Sequence, residues 1–467
     1  MAEHPPPSDD IRDTGIDVIV VGAGFAGIAC AVECKRKGHR VMILEKVHEL
    51  KQLGDMLSLG VNASRILARW GLHEKLWGVA DSAGEIHIHD YLGDLVQVQK
   101  MSYPLFGAFP YNGHRAVIHE VLFEHAKSLG IEIRMGHQAV EYWEDEANGK
   151  AGVKIQTGET FDADVIVAAD GVKSLARKFV IGYCDNPKPS GYAIYRAWFD
   201  AEEHGITTDP LTDFLSVHGN QVHAWIGGDM HFLAISSQGG KTICFFLTHK
   251  DNAAVDGDWS SPGKIEDVLD LLKDRDPRCA AIVSKAPSCI DWKLLVHDPL
   301  PTWVSKSGRV VLIGDAAHPF LPTSVQGASQ AIEDGVTLAV SLNLAGKDNV
   351  RLGTRTWECM RYQRVHDAQM LGVTTRNLWH GAKAGDSGNK FELPMPEWLM
   401  AFDAEAHAYA AYDGIARTIV EEGYRLPSLE EVKESPGYLG RIACGAGRAN
   451  LKGLLYLDEN LIRIYIT

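Results

Sequence analysis

A glycine-rich turn between two apolar strands constrains the fold of this chain more than any other feature. The apolar run that begins at Val18 ends in Gly22, Gly24 and Gly27, a helical segment follows, and a second strand ends at Glu45. In a β-α-β unit these glycines allow the tight bend, the close approach of a pyrophosphate and the packing of helix on strand. The helix N-terminus offers N–H groups to phosphates, and the acidic residue can accept bonds from ribose hydroxyls. The pattern predicts a dinucleotide site without separating NAD from FAD.

A second motif lies far along the chain, where an apolar strand from Arg309 runs into Gly314 and Asp315. A proline turn follows, and then a helix that opens at Gly327 and Ala328. The Asp315 carboxylate can bond a polyol hydroxyl such as the ribityl chain of a flavin. N–H groups at the helix start can stabilise the pyrimidine end of the flavin ring, which gains negative charge on reduction. An N-cap Asp before a structural turn would also explain Asp315 by itself. Together, the two motifs predict non-covalent FAD, held at its two ends.

A third strand-turn-helix motif is centred on Asp170, with Ser174 and Arg177 after it. Capping of the helix is a sufficient physical explanation for Asp170 and Ser174. The three motifs in this order resemble those of the group A, single-component flavoprotein aromatic monooxygenases, which have the fold of para-hydroxybenzoate and salicylate hydroxylases. The resemblance covers most of residues 16–380.

This resemblance implies an α/β fold. A doubly wound, glutathione-reductase-like FAD-binding domain would carry an inserted antiparallel β-sheet that binds substrate, and a helical C-terminal region would follow. The expected segments are a disordered tail over 1–15, an FAD-binding domain over 16–185 with substrate-domain strands near 84–110, a β-sheet substrate domain over 186–295, a second FAD-binding part over 296–350, and the helical region over 351–467. The residues expected to bind the cofactor are Gly22, Gly24, Gly27, Glu45, Lys46, Arg115, Asp170, Asp315, Gly327 and Ala328.

The cofactor would determine the chemistry. In this family reduced flavin and O2 form a C4a-hydroperoxide, and an electron-rich aromatic ring attacks its distal oxygen. The protein has to hold the ring over the flavin, exclude water and let the flavin move out for reduction. NADPH or NADH is the expected electron donor and would dock transiently near Asp170, because the chain holds no second nucleotide fingerprint. No metal is expected, since no helical ligand spacing argues for one.

Arg196 is a candidate catalytic residue in the middle of a predicted strand. Alternate side chains of a strand share one face, so Arg196 lies on the same face as Tyr192, Ile194 and Trp198. On that face its guanidinium could contact the flavin or bond a substrate oxygen. The alternative is an arginine that stacks on Trp198 at the protein surface.

Asp55 is the second candidate, and it departs from the family pattern, which more often has a small apolar residue after the glycine at this place. A carboxylate there could pair with a protonated amine of a basic alkaloid, whereas it would repel phenolic acids. The alternative is an aspartate that only caps a turn.

Within the family, the chain is similar to the fungal indole-alkaloid monooxygenases that form spiro-oxindoles. The shared features are Gly54-Asp55, Asn62-Ala63, Ser190-Gly191-Tyr192, Arg196 and the run from Gln326 to Gln330. This similarity implies epoxidation of an indole C2=C3 bond followed by a 1,2-shift. Hydroxylation of a phenol or salicylate remains an alternative, as does a flavin oxidase or reductase that transfers no oxygen.

Composition narrows the class of partner. The formal net charge of −15 disfavours nucleic acid and anionic membranes. No apolar run is long enough to span a bilayer and no signal peptide is recognisable, which predicts a cytoplasmic enzyme with small-molecule partners. The scattered cysteines fit a reducing compartment, and Cys30 and Cys34 are expected to be buried packing residues. Residues 451–467 are apolar-rich and match no motif.

Hydrophobic periodicity makes three further predictions that a structure can test. It predicts one helix over 61–78, one strand over 160–169, and a strand over 214–218 within a run of antiparallel β-structure from Gly191 to His249.

Overall fold

A computed structural model describes residues 12–50, 56–80, 83–101, 103–185, 187–251 and 260–426. Its strands are β1 Asp17–Val21, β2 Arg40–Glu45, β3 Met56–Leu59, β4 Glu85–Asp90, β5 Leu95–Lys100, β6 Tyr111–His114, β7 Glu132–Met135, β8 Ala139–Asp145, β9 Lys150–Ile155, β10 Thr160–Ala163, β11 Val165–Ala168, β12 Lys188–Asp200, β13 Val222–Gly227, β14 Met230–Ser237, β15 Thr242–Lys250, β16 Ser260–Gly263, β17 Cys289–Val296 and β18 Val310–Leu312. Its helices are α1 Phe25–Arg36, α2 Val61–Arg69, α3 His73–Trp77, α4 Arg115–Ser128, α5 Ala176–Ile181, α6 Phe214–Val217, α7 Ile265–Leu272, α8 Pro277–Ser284, α9 Gly327–Ala345, α10 Val350–His380, α11 Glu397–Met400 and α12 Ala404–Glu422.

The glycine fingerprint lies at the centre of a five-stranded parallel sheet with the order β18-β11-β1-β2-β7. The apolar side chains of β1 are buried, as expected for a parallel strand covered on both faces. Helix α1 packs closely on α9. A Cβ placed on Gly335 of α9 would lie only 2.5 Å from the backbone nitrogen of Cys30 on α1, so the two helices can approach this closely only with glycine at that position. Cys30 and Cys34 are fully buried in this contact region, which agrees with their predicted packing role.

The second large sheet has eight strands in the order β16-β17-β12-β15-β14-β13-β4-β5. Neighbouring strands are antiparallel, except that β13 and β4 are parallel. β4 and β5 precede the other strands of this sheet in the chain and form its edge beyond β13. The described residues, which end at Leu426, form one compact unit.

Three predictions of secondary structure were wrong in detail. The helix predicted over 61–78 is two helices, because Gly71 takes a left-handed backbone (φ +78°) between α2 and α3. The strand predicted over 160–169 is divided at Asp164, whose carboxylate accepts a bond from the Asp17 backbone N–H at 2.8 Å as β11 turns to pair with β1. The segment 214–218 forms a helical turn, α6, whose Leu215 packs fully buried in the core beneath the sheet instead of pairing in it.

The C-terminal part of the described chain is helical, as predicted, and α10 and α12 pack against α9. Within the described ranges, no helix is long and apolar enough to cross a membrane. Residues 427–467, including 451–467, lie outside the described part of the chain.

Candidate active site

A cavity of about 560 Å³ lies between the two large sheets. One wall is formed by the fingerprint turn, the Asp315 turn and the start of α9, and the opposite wall is the face of the eight-stranded sheet. Most side chains in these walls are apolar, which suits an organic ligand oriented by a few polar groups.

The three fingerprint glycines differ in how closely other protein atoms approach them. A Cβ on Gly27 would lie 1.9 Å from the Gly22 carbonyl oxygen, and one on Gly22 would lie 2.4 Å from the carbonyl oxygen of Ala169. A Cβ on Gly24 would meet no protein atom within 4 Å. Gly22 and Gly27 are therefore required by the packing of the turn, whereas Gly24 keeps space open beside the N-terminus of α1, which has no side-chain cap.

Glu45 is positioned by the backbone around it at the end of β2. Its carboxylate accepts bonds from the N–H groups of Ala23 at 2.6 Å and Val47 at 3.0 Å. This places the carboxylate beside the fingerprint turn, as the ribose prediction requires. Lys46 is exposed, and neither Glu45 nor Lys46 lines the cavity. Their contacts with the cofactor stay predictions.

The Asp315 turn is braced by a residue from the third motif. The buried Arg177 side chain donates to the carbonyl oxygens of Asp315 and Ala316, each at 2.6 Å. The Asp315 carboxyl is exposed to the cavity, yet the surrounding protein shields it from bulk water and raises its pKa, although Arg115 opposes that rise. Arg177 thus acts across the structure on the second motif, a role that its position after Ser174 did not suggest.

A buried network of charges lies directly behind this turn. Asp334 accepts bonds from the Gly314 backbone N–H at 2.9 Å, His318 Nε2 at 2.6 Å and Arg361 Nε at 2.9 Å. Glu333 accepts a bond from Arg361 at 2.5 Å. Burial alone would raise the pKa of both carboxyls, but His318 and the arginines around them hold each pKa below its usual range.

The same network extends to Gly60, just before α2, and to Asn62 in the first turn of that helix. Asn62 donates to Glu333 at 2.6 Å, and the Gly60 N–H donates to the Ser329 hydroxyl at 3.0 Å.

Sequence reasoning missed Arg361. The available signal was a pair of adjacent acidic residues within an apolar helix, which requires a buried cation but does not reveal its position in the chain.

The N-terminus of α9 faces the cavity. Gly327 and Ala328 both line it, the preceding Gln326 makes no side-chain cap, and the first turn has no acidic residue. The positive end of the helix dipole is therefore directed at whatever occupies this part of the cavity.

Arg115 and Asp170 were both predicted to bind the cofactor, but Arg115 lines the cavity and Asp170 does not. Arg115 is the first residue of α4 and lines the cavity, with its guanidinium 5.9 Å from the Phe25 ring centroid. Asp170 accepts a bond from the Tyr142 hydroxyl at 3.1 Å, and burial raises its pKa. It does not line the cavity, although Gly171 does. The contacts of Asp170 with cofactor and donor stay predictions.

Arg196 lies in the sheet wall of the cavity, beside Ile194 on the same strand. Its guanidinium is 4.0 Å from the ring centroid of Trp292 on β17. Trp198 instead contacts His114, with 5.1 Å between ring centroids. The arginine is thus stacked on an aromatic ring, but on one that also lines the cavity.

Comparisons with known proteins agree with this geometry. The family model described as an FAD binding domain matches residues 15–355. Asperlicin C monooxygenase of Petromyces alliaceus is 36% identical over 423 residues, which cover 87% of this chain and 90% of that protein. The chain belongs to the family of FAD-dependent monooxygenases.

Two solved structures are similar to this chain in fold. The crystal structure of CtdE in complex with FAD and a substrate has a TM-score of 0.81 at 34% identity, over 87% of this chain and all (100%) of CtdE. A salicylate hydroxylase substrate complex has a TM-score of 0.71 at 24% identity, over 85% of this chain and 98% of that one. This second likeness supports the shared fold and says nothing about the substrate. The predicted fold class, FAD and the monooxygenase activity are confirmed, and a flavin enzyme without oxygen transfer is no longer the alternative.

The residues present in this monooxygenase fit FAD. The open space at Gly24 would admit the pyrophosphate, the Asp315 carboxylate would accept from a ribityl hydroxyl, and the N–H groups of Gly327 and Ala328 would face the flavin pyrimidine. Asp55 lies outside the described residues, although Met56, its neighbour in sequence, lines the cavity.

Proposed function

We propose that this monooxygenase epoxidises the C2=C3 bond of an indole in an alkaloid, and that a 1,2-shift then forms a spiro-oxindole. One oxygen atom of O2 enters the substrate and the other leaves as water, with two electrons supplied by NADPH or NADH. Bound FAD supplies the activated oxygen. The chain itself has to bind the indole, keep water out and stabilise the oxygen that develops negative charge.

The protonation states of the cavity residues carry this proposal. A phenol hydroxylase needs a base that removes the phenolic proton. Burial raises the pKa of Tyr103, so its hydroxyl stays protonated, and burial lowers the pKa of His231 well below its usual range, which makes it a weak base. Asp315 is the one carboxylate among the described lining residues, and it lies on the wall formed by the fingerprint turn, the Asp315 turn and the start of α9, here called the FAD wall. An indole is electron-rich without losing a proton, so it needs no such base.

Arg196 supports the second half of the reaction. Its guanidinium is permanently charged and planar, and stacking on Trp292 limits its freedom. In a cavity that is mostly apolar, such a donor interacts strongly with an oxygen that gains charge. We therefore assign Arg196 to the epoxide oxygen, where it favours opening of the C–O bond before the 1,2-shift.

The relatives support a natural product over a phenolic acid. Asperlicin C monooxygenase is named for a fungal metabolite as its substrate, and it matches this chain over most of its length. The salicylate hydroxylase is more distant in sequence.

Oxygen-18 labelling of the product tests the function. Purified enzyme with NADPH, then with NADH, is given 18O2 and a panel of indole alkaloids and phenolic acids. The proposal expects one 18O atom in an oxindole product, and none from labelled water. A labelled catechol from a phenolic acid, with no indole converted, would replace the proposal with the phenol hydroxylase.

A charge deletion at Asp55 tests whether the alkaloid is basic. If Asp55 pairs with a substrate ammonium, Asp55→Asn should raise the KM for a basic indole alkaloid by an amount equivalent to about 2–4 kcal/mol, with FAD content unchanged. A neutral analogue without the amine serves as the control and should lose little. Equal losses for both substrates would show that Asp55 only shapes its loop.

A further inference from the structure

We propose that His231 donates a hydrogen bond from Nε2 to a carbonyl oxygen of the substrate, and that His380 holds it in the donor tautomer. The proposal deepens the proposed function, on which it rests, by naming the substrate class as an indole that carries an uncharged amide.

The two histidines form a pair at one end of the cavity. His231 is on β14 and lines the cavity, whereas His380 is the last residue of α10 behind it. Nδ1 of His231 lies 2.8 Å from Nε2 of His380. This bond turns Nδ1 of His231 away from the cavity and leaves Nε2 as the nitrogen available to a ligand.

Both rings are neutral at physiological pH. Burial and the positive charge of Arg376 lower the pKa of His231 well below its usual range, and a proton on the adjacent His380 would lower it further. Burial and Arg376 lower the pKa of His380 to about 4. Each ring therefore carries one proton, and the single bond between them requires that one ring donates and the other accepts.

The buried far side of His380 decides the direction of that bond. Nδ1 of His380 is buried and has no hydrogen-bond partner in the described part of the protein. If His231 donated, the proton of His380 would be on this nitrogen, as a buried donor without an acceptor. If His380 donates from Nε2, the orphan atom is only an acceptor, which proteins tolerate more often than an orphan N–H. The second arrangement leaves the proton of His231 on Nε2, toward the cavity.

The position of His231 defines what it can bind. His231 pairs across the sheet with Thr248, which pairs with Ile194, two residues from Arg196 on the same strand. Two strand spacings therefore separate His231 from Ile194, and Arg196 lies two residues further along β12, so His231 and Arg196 are roughly 12 Å apart. Both groups are donors, and the carboxylate among the described lining residues, Asp315, is on the opposite wall. A substrate that reacts beside Arg196 would thus reach His231 with an uncharged acceptor, and an amide carbonyl is the strongest neutral acceptor of that kind.

The tautomer is measured directly, without ligand or turnover. In FAD-loaded enzyme labelled with 15N-histidine, long-range 1H–15N spectra distinguish protonated from unprotonated ring nitrogens, and His231→Gln identifies the His231 signals. We expect Nε2 of His231 to be protonated and Nδ1 not, and His380→Phe to destroy this preference. Protonation of His231 on Nδ1 alone, or of both nitrogens at pH 7.5, would overturn the proposal.

Binding to the oxidised enzyme tests the carbonyl. The probe is N-acetyl-L-tryptophanamide, a neutral indole with two amide carbonyls, indole is its control, and flavin absorbance reports binding. We expect the wild-type enzyme to prefer the amide probe, and His231→Leu to weaken its binding about 3- to 10-fold, the range of one neutral hydrogen bond. His231→Gln, which keeps an N–H near the same place, should restore most of the affinity, and indole should bind all three proteins alike.

Two outcomes of the binding experiment would overturn the proposal. One is that the wild-type enzyme shows no preference for the amide probe over indole. The other is that His231→Leu lowers the affinity for the probe and for indole equally. Neither measurement uses oxygen transfer, so a failure of the epoxidation proposal in the oxygen-18 experiment remains separate from a failure of this one.

Discussion

The two walls of the cavity are encoded differently in the chain. The FAD wall comes from short motifs in which the residues are close in sequence, such as the fingerprint turn and the Asp315 turn. The substrate wall comes from single side chains on separate strands, such as Arg196, His231 and Trp292. The difference suits a division of labour in which a cofactor common to many proteins would be held largely by backbone groups, and an individual substrate by side chains that only a sheet brings together. The following experiments test whether the walls are as separable as this comparison implies.

The largest effect is expected in the fingerprint turn, where two glycines three positions apart, Gly24 and Gly27, can be compared. Gly27→Ala places a Cβ 1.9 Å from the Gly22 carbonyl oxygen, so it should prevent correct folding of the turn and lower the melting temperature even without FAD. Gly24→Ala meets no protein atom within 4 Å, so the FAD-free protein should melt like the wild type while FAD binding is lost. Equal melting temperatures for the two variants would contradict the distinction between a packing glycine and a cofactor glycine.

The next effect concerns the charge network behind the FAD wall. Arg361→Met leaves Glu333 and Asp334 with a missing buried partner, and we expect the free energy of unfolding to fall by about 3–5 kcal/mol. Arg351→Met on the same helix is the control, because among the described residues Arg351 forms an exposed pair with Glu146 and should change stability by less than about 1 kcal/mol. Chemical denaturation measures both. A loss below about 1 kcal/mol for Arg361→Met would show that the network does not support the wall.

On the substrate wall, Arg196→Ala should lower product formation on the order of 10²–10³-fold with normal FAD content, because the lost contact forms at the reacting centre. Arg355→Ala is a matched control, since Arg355 stacks on Tyr424 at 4.7 Å outside the cavity. Steady-state kinetics and the flavin absorbance of the purified proteins give the two readouts. Normal turnover by Arg196→Ala would make the arginine structural, and loss of FAD would mean that the walls are not separable.

Asp315→Ala should weaken FAD binding and leave the substrate sheet unchanged. One charge-assisted bond to the cofactor is worth roughly 1.5–3 kcal/mol, so the Kd for FAD should rise about 10- to 150-fold. The exposed Asp413 on α12 provides the control substitution, Asp413→Ala, for the loss of a carboxylate. Fluorescence titration of the FAD-free proteins measures the change. An unaltered Kd would remove Asp315 from the cofactor site.

The smallest effect is a pH dependence with opposite sign in the two regions. Burial raises the pKa of Glu358, on α10 behind the FAD wall, from 4.5 to about 7, so the stability it contributes is complete below pH 4.5 and is lost as pH rises to 7. Burial lowers the pKa of His89 to about 4 and of His223 to about 3 in the substrate sheet. The stability that these two neutral histidines contribute to the folded state is fully present above pH 6.5 and is lost as the pH falls.

Hydrogen exchange, corrected for its intrinsic pH dependence, measures this contrast. Between pH 7 and pH 5 the substrate sheet should lose protection equivalent to about 2 kcal/mol for each histidine, while the α10 region gains a similar amount. Glu358→Gln should abolish the gain around α10 and leave the loss in the sheet. Parallel changes in both regions would show that the protein unfolds as one unit over this range.

Sequence reasoning worked where neighbouring residues perform one task. The β-α-β turn, the Asp315 turn and the start of α9 follow from local rules, and the positions of Asp315 and Gly327 at the cavity agree with them. It failed where a neighbour distant in sequence decides the outcome. The turn at Asp164 responds to Asp17, and the segment around Leu215 becomes helical because packing against the sheet outweighs its strand propensity.

By itself, the sequence determined the FAD-binding fold, the cofactor and the class of enzyme, because backbone groups at the ends of strands and helices hold a nucleotide and their requirements are local. The tertiary structure alone decided that Arg177 braces the Asp315 turn, that Arg361 neutralises Glu333 and Asp334, and that Arg196 stacks on Trp292 instead of Trp198. Each of these contacts joins a side chain to a group on a separate element. Burial makes such pairings strong, but no spacing along the chain specifies them, since they depend on how the sheets and helices meet in three dimensions.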